Sequence, residues 1–131
     1  DKNPVLLEAL GNIYMLEPAN YEKAEKTFQK AFALSGDGQQ LFNRGRALAA
    51  LKKYKEAIEV LLQSRRISEQ EGDVTDGEDM ELVRCYIGLK DKKNAEKYLE
   101  LAREGADNVA DEFIDEYEEE LDKLEDMIDE L

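Results

Sequence analysis

A recurring residue pattern constrains the fold of this chain more than any other feature of its sequence. Three segments each carry a small, a large and a small residue at spacings of four and then three: Ala24, Phe28, Ala31; Ala57, Leu61, Ser64; and Ala95, Leu99, Ala102. These spacings place each trio on one face of a helix. The trios start 33 and 38 residues apart, so the sequence predicts three copies of one helical unit.

Each copy also contains an earlier helical stretch, separated from the trio by a short turn near residues 18–21, 52–54 or 90–92. The earlier stretches step by three and four through Leu7, Leu10, Gly11, Tyr14; Leu41, Gly45, Leu48; and Leu82, Cys85, Tyr86. A unit is therefore a pair of helices, and the three predicted units cover about residues 4–37, 38–71 and 76–106. Because a single pair would leave an apolar face bare, the pairs must stack on one another.

The pattern resembles the tetratricopeptide repeat, in which W-x2-L-G-x2-Y…A-x3-F recurs about every 34 residues. The resemblance covers about residues 4–105 and is fullest in the first unit. The chain departs from the family pattern at Arg44 and Asp79, where apolar residues are usual, at Ser64, which replaces an alanine, and at Val83, which replaces the glycine. The resemblance implies an all-α fold, a right-handed solenoid of three helix-turn-helix units, followed by a long C-terminal capping helix.

The negative charge of the chain is concentrated at its end. The formal net charge is −14, of which residues 1–106 contribute −2 and residues 107–131 contribute −12. We predict that residues 107–131 form one acidic helix, which opens at Asp107 or Asn108 because both are good helix caps. Its apolar residues recur at alternating spacings of four and three: Ala110, Ile114, Tyr117, Leu121, Leu124, Ile128 and Leu131.

This apolar seam has three interpretations. A coiled-coil dimer is one, but self-pairing would oppose acid to acid along the flanks, at Asp111, Glu118, Glu120 and Glu125. A cap packed against the third unit is favoured, because the ends of solenoids need one. A surface for a basic or otherwise different partner is the third. As a cap, the helix is expected to lie against the third unit's basic residues Lys90, Lys92, Lys93 and Lys97; alternatively, it occupies the binding groove.

The composition argues against several kinds of function. The chain has no histidine, which removes Ser–His and Cys–His catalysis and histidine-bearing zinc sites. Cys85, the single cysteine, is predicted to be a buried structural thiol, and with no partner for a disulfide it leaves the compartment open, with the cytoplasm slightly favoured. No phosphate-binding loop is present, so we predict no enzyme, cofactor or metal. The acidic balance argues against nucleic acid and membrane partners.

Residues 68–79 form an acidic connection that contains Gly72 and Gly77. Its carboxylates suggest calcium, but the EF-hand spacing fails, because Gly72 or Arg84 falls on a ligand position in either register. We therefore predict a solvated loop, in which Thr75 and Glu78 form a capping box for the next helix.

In tetratricopeptide proteins the first helices of the pairs line a concave groove that usually takes an extended peptide or a helix of a partner. The resemblance places eleven residues in this groove: Glu8, Asn12, Met15, Phe42, Asn43, Arg46, Ala49, Met80, Glu81, Arg84 and Ile87. Asn12, Arg46 and Arg84 fall on equivalent positions and are expected to form one polar row. The two arginines suit a carboxylate on the ligand; alternatively, they form ion pairs with Glu8, Glu81 or other neighbours.

One form of the family clamps the C-terminal carboxylates of chaperones with lysines, asparagines and an arginine. Asn12 and Asn43 match that form, but Glu8, Gly77 and Glu81 stand where cations are needed, so chaperone tails are not the expected ligand. The sequence predicts a non-enzymatic scaffold or adaptor that binds a peptide or helix of another protein. The alternative is a structural assembly element that acts through its ends or its acidic helix. A monomer is expected, with weak self-association as the alternative.

Overall fold

The computed structural model describes residues 3–16 and 19–131, and all the regular structure within those residues is helical. The seven α-helices are α1 (Pro4–Tyr14), α2 (Tyr21–Ser35), α3 (Gly38–Ala50), α4 (Tyr54–Gln70), α5 (Asp76–Gly88), α6 (Lys92–Glu104) and α7 (Ile114–Asp129). The predicted all-α fold of helix pairs is confirmed. Of the predicted turn at residues 18–21, residue 18 lies outside the described part of the chain.

Short polar side chains fix where most of these helices begin. Asn3, Asn20, Asp37 and Asp91 precede α1, α2, α3 and α6, and a side-chain oxygen of each accepts a backbone N–H two or three residues further on. Such a bond satisfies one of the N–H groups that the first turn of a helix leaves free. Gly36 ends α2 with φ at 68°, a left-handed conformation that glycine adopts without strain.

By its internal contacts the chain divides into two compact units, residues 1–67 and 68–131. In the first unit α2 packs against both α1 and α3. Phe28 of α2 is fully buried together with Ala24 and Ala47, and Tyr14 and Met15 pack against this cluster. A large side chain on the second helix of the pair therefore contacts the helix that precedes it and the helix that follows it.

Two glycines show why a small residue is needed in the first helix of a pair. A Cβ atom added at Gly11 would lie 2.5 Å from Cε1 of Phe28, and one added at Gly45 would lie 2.6 Å from Cδ2 of Leu61. Both distances are well below an ordinary carbon–carbon contact of about 3.5–4.0 Å. In both pairs, the glycine of the first helix thus leaves the space that the large side chain of the second helix fills.

In the second unit α6 packs against α5 and α7. The Tyr117 hydroxyl, near the start of α7, donates a 2.6 Å hydrogen bond to the carbonyl oxygen of Ala102, near the end of α6. Ile128, near the end of α7, lines a cavity together with Leu99 of α6, so the two helices run antiparallel. The seam residues Leu121, Leu124 and Ile128 are buried, which means that the second unit uses them internally.

The prediction that the last helix begins at Asp107 or Asn108 is wrong, because α7 begins only at Ile114. The chain must reverse direction between the antiparallel helices α6 and α7. Gly105–Asn108 form a short 3-10 turn, and Val109 follows in an extended conformation with φ −87° and ψ 133°. The residues that locally favour a helix start are therefore used for the reversal.

The acidic connection is also shorter than predicted, because α4 continues to Gln70 and α5 begins at Asp76. The capping box is absent, since the Thr75 side chain makes no capping hydrogen bond. Its hydroxyl donates instead to the Asp79 carboxylate at 3.0 Å, and the carboxylate of Glu78 accepts a 3.0 Å bond from the Ser68 hydroxyl. Both acids are buried. The Thr75 hydroxyl and the Glu78 carboxylate, which the predicted capping box requires, therefore bond to other side chains of the folded unit.

Candidate functional site

Two of the predicted groove residues on α1 and α3 are held by neighbouring amide side chains. The Glu8 carboxylate accepts a hydrogen bond from Nε2 of Gln40, a residue that is buried in α3. Asn43 is buried as well, and its Oδ1 accepts a 3.2 Å bond from Nε2 of Gln39. Glu8 and Asn43 therefore have internal partners. Gln40 was not among the predicted residues, although its sequence position gives a signal: it is a polar residue in the register of apolar Leu6.

Arg46 differs from these residues because its side chain is exposed. Its guanidinium lies over the Phe42 ring, 5.9 Å from the ring centroid, within the range of a cation–π interaction. Within residues 3–16 and 19–131, no carboxylate forms an ion pair with Arg46. Asn12 is exposed on α1, whereas Met15 is half-buried against the Phe28 cluster. The first unit thus presents a guanidinium, held by an aromatic ring, to solvent.

The two departures from the repeat pattern in the second pair have structural partners. Arg44 forms a 2.7 Å ion pair with Glu25 of α2, and both side chains are largely buried. The Ser64 hydroxyl donates a 3.2 Å hydrogen bond to the carbonyl oxygen of Gly38. Arg44 and Ser64 therefore hold helices together, which leaves Arg46 as the arginine of α3 that faces solvent.

In the second unit Arg84 lies between two carboxylates. Its Nη1 is 2.6 Å from Glu81 on the same helix, and its Nη2 is 3.1 Å from Glu120 of α7. Of the two alternatives for Arg84, ion pairing with neighbours is what the structure shows. Met80, another of the predicted groove residues on α5, is half-buried. Glu120 was expected only as a flank of the seam, so its contact with Arg84 is a feature that the sequence analysis missed.

The acidic helix pairs with arginines rather than with the predicted lysine cluster. Arg103 of α6 is 3.1 Å from Asp122 and 3.0 Å from Glu125. In the described part of the chain, the ion pairs of α7 are those with Arg103 and Arg84. The lysines at 90, 92, 93 and 97 are exposed. The expectation that they form the docking charge is therefore wrong, because the buried seam decides which basic residues α7 reaches.

The Tyr117 hydroxyl and the Cys85 thiol are both held in their neutral forms. Burial, together with the negative charges of Asp76 and Asp79, raises the pKa of Tyr117 to about 12. Burial and the charge of Glu81 likewise raise the pKa of the Cys85 thiol to about 12, although Arg84 opposes the shift. Cys85 is fully buried, which confirms the prediction of a buried thiol. Neither group is poised to act as a nucleophile at neutral pH.

A cavity of about 320 Å³ lies between α6 and α7. It is lined by the apolar side chains of Leu99 and Ile128, by Arg103 and by four acidic residues: Glu96, Glu100, Glu125 and Asp129. This cavity could not be predicted from the sequence, because acids spaced four apart on a helix are ordinary solvent-facing residues. Among residues 3–16 and 19–131, no three acidic or cysteine side chains are grouped so that they could hold a metal ion. The described helices also include none long and apolar enough to cross a membrane.

Comparison with known families identifies the repeated pair. A tetratricopeptide repeat family model matches residues 41–71 and 80–102, which include most of α3 and α4 and most of α5 and α6. The matched segments leave out α1 and α2, although the contact between Gly11 and Phe28 in that pair repeats the contact between Gly45 and Leu61. No curated protein and no solved structure matches the chain.

Proposed function

We propose that this chain, which is a tetratricopeptide repeat protein, is a scaffold that binds a peptide or helix of a partner protein along the first helices of its repeats. Tetratricopeptide repeats are generally protein–protein interaction modules, and the family is typically non-enzymatic. Beyond these family properties, we assign ligand contacts to the first helix of each pair, unit by unit: α1 and α3 in the first unit, α5 in the second. Arg46 is the main charged contact.

The exposed Arg46 guanidinium is the observation that carries this proposal. The contact with Phe42 holds the guanidinium 5.9 Å from the ring centroid, so less side-chain freedom is lost when a ligand binds. A planar guanidinium presents paired N–H donors that match a carboxylate. We therefore expect the ligand to carry an aspartate, a glutamate or a free C-terminus at this point.

The residues of the predicted polar row, Asn12, Arg46 and Arg84, are expected to contribute unequally to ligand binding. Asn12 and Arg46 belong to the first unit and are exposed, so a ligand can reach them without breaking an internal contact. Arg84 belongs to the second unit, where a ligand carboxylate must compete with Glu81 and Glu120. We expect Arg46 to contribute more to binding than Arg84.

A peptide display selection against the whole chain tests this function. Selected peptides would be synthesised with each acidic residue as the acid and as the amide, and binding would be measured by fluorescence anisotropy. Charge-assisted hydrogen bonds contribute about 1.5–3 kcal/mol, and solvent exposure of Arg46 reduces this figure. Arg46→Ala should therefore weaken binding about tenfold, as should the matching acid-to-amide change in the peptide.

The matched control is Arg66→Ala, because Arg66 is also an exposed arginine but lies on α4, the second helix of its pair. This variant should bind the peptides as the unchanged chain does, and both variants should keep the same helical content by circular dichroism. If Arg46→Ala leaves every selected peptide bound with unchanged affinity, the assignment of Arg46 is wrong. If no peptide is selected at all, the groove proposal itself fails.

A second candidate function, assembly through the ends of the molecule, is favoured by a separate observation. The N-terminal helix α1 carries large apolar side chains that are exposed, and these do not belong to the predicted groove.

A further inference from the structure

Within residues 3–16 and 19–131, the helix α1 carries an apolar stripe that is exposed. The exposed fractions of its side chains are high: Val5 74%, Leu6 55%, Leu10 38%, Ile13 61% and Leu16 65%. Leu6, Leu10 and Ile13 step by four and three and therefore share one face, with Val5 and Leu16 beside it. The largest apolar patch on a monomeric protein is often functional, so this stripe is a candidate interaction surface.

The internal repeat shows what kind of partner this face takes. Aligning Gly11 with Gly45 places Leu10 in the register of Arg44 and Ile13 in the register of Ala47. In α3 those two positions face a packed helix, because Arg44 pairs with Glu25 of α2 and Ala47 is buried against Phe28. The equivalent face of α1 is therefore built to receive a helix.

The chemistry of the stripe differs from that of its counterpart on α3 in one respect. Where α3 has Arg44, which requires the Glu25 carboxylate, α1 has Leu10. The helix that covers α1 must therefore be apolar at the matching position, since a carboxylate placed there would be buried without a partner. Glu8 is the only charged residue within α1, and Gln40 already binds it.

We propose that α1 of a second copy of this chain covers the stripe, so that two copies pair through their first helices. The helix α1 itself meets the requirement, because it presents an uncharged apolar face to its equivalent. Charge also favours this end of the molecule. Residues 1–67 contain eight acids and eleven bases, a net of +3, whereas residues 68–131 carry a net of −17. Pairing through α1 thus brings together the weakly charged units.

The size of the stripe is sufficient for a weak dimer. From the exposed fractions of the five side chains, each copy buries roughly 500 Å², and a two-fold pair about 1,000 Å² in total, which is near the lower limit for a specific interface. Interfaces at this end of the size range belong mostly to weak or transient complexes, so we expect a dissociation constant on the order of 1–100 μM. The pair should therefore form and dissociate with protein concentration.

Sedimentation equilibrium and light scattering of the full chain over a range from about 1 to 500 μM test the proposal. The average mass should rise from one copy, 15.0 kDa, towards two copies. Leu10→Glu and Ile13→Glu each place a charge on the stripe and should raise the dissociation constant at least tenfold. Both substitutions lie on the surface, so the helical content should not change.

The matched control is Leu34→Glu, because Leu34 is a leucine of α2 that is 49% exposed and lies outside the stripe. It should dimerise as the unchanged chain does. A mass that stays at one copy throughout the range overturns the proposal and leaves the stripe to some other helix. A dimer that survives both α1 substitutions also overturns it, because the contact then lies elsewhere. Neither result depends on peptide binding by Arg46.

Discussion

The contact between Gly45 and Leu61 allows a quantitative test of how the helix pairs are held together. Replacing Gly45 with alanine adds one methyl group, which would lie 2.6 Å from both Cδ2 and Cγ of Leu61 and 3.5 Å from its Cδ1. The three nearest atoms all belong to this one side chain. Leu61 is fully buried, so it has little space into which it could move. The substitution therefore forces the two helices apart by roughly 1 Å to reach an ordinary contact distance.

Two opposing effects determine the change in stability. Glycine in a helix is less favourable than alanine by about 1 kcal/mol, so the substitution gains that amount. Overpacking a well-packed core costs about 1–3 kcal/mol, and the short distances to a branched side chain place this contact at the upper end. Gly45→Ala should thus lower the free energy of unfolding by about 1–2 kcal/mol, contrary to the effect expected from helix propensity alone.

A double-mutant cycle separates the two effects. Leu61→Ala alone should cost about 3 kcal/mol, as is usual for a buried leucine. It also removes the three Leu61 atoms that the new methyl group would meet, so adding Gly45→Ala to it should restore about 1 kcal/mol. The double variant should therefore be more stable than Leu61→Ala, and the coupling energy should be about 2–3 kcal/mol.

Urea unfolding followed by far-ultraviolet circular dichroism measures the stability of the unchanged chain and of the three variants, since the chain has no tryptophan to serve as an alternative probe. The control cycle pairs Leu61→Ala with Gly11→Ala, whose new methyl group would meet Phe28 instead. That pair should be nearly additive. If Gly45→Ala proves stabilising by itself, or if it costs as much in the presence of Leu61→Ala as in its absence, the close-approach explanation is refuted.

Two further predictions concern the second unit. Tyr117→Phe should cost about 1 kcal/mol at neutral pH, through loss of the bond to Ala102. Because the pKa of Tyr117 is raised from 10.0 to about 12 in the folded chain, its contribution is present below pH 10 and is lost as the pH rises towards 12. Urea unfolding at neutral and alkaline pH should therefore show a smaller difference between variant and parent at the higher pH; an unchanged difference would argue against the shift. For Cys85, whose thiol pKa is about 12, a disulfide reagent should label the native chain only as fast as it unfolds, and rapid labelling in the absence of urea would show an accessible thiol.

The helix pairs could be predicted from the sequence because their determinants are local. A small residue four before a large one, as in Ala24 and Phe28, fixes the packed face of a helix. A glycine in the preceding helix, such as Gly11, then meets that large residue. These patterns repeat every few tens of residues, so the pattern in each copy supports the prediction of a helix pair in the other copies.

The features that the sequence did not reveal depend on contacts between distant residues. Asn108 is a good helix cap by local chemistry, but the need to turn α7 back onto α6 decides its conformation. The acidic helix was expected at the lysine cluster because those residues concentrate positive charge. The apolar seam fixes where α7 lies, and it brings Glu120 to Arg84, 36 residues away. Packing outweighs exposed charge here, since surface ion pairs contribute little individually.

The uneven distribution of charge bears directly on where an anionic ligand would bind. In residues 68–131, whose net charge is −17, α7 supplies carboxylates to Arg84 and Arg103. A ligand carboxylate that approached this unit would meet like charges, and its arginines already have partners. In residues 1–67, with a net charge of +3, Arg46 is exposed and held by Phe42. We therefore expect an anionic peptide to bind at α3 rather than in residues 68–131, because α7 pairs with the arginines of its own unit.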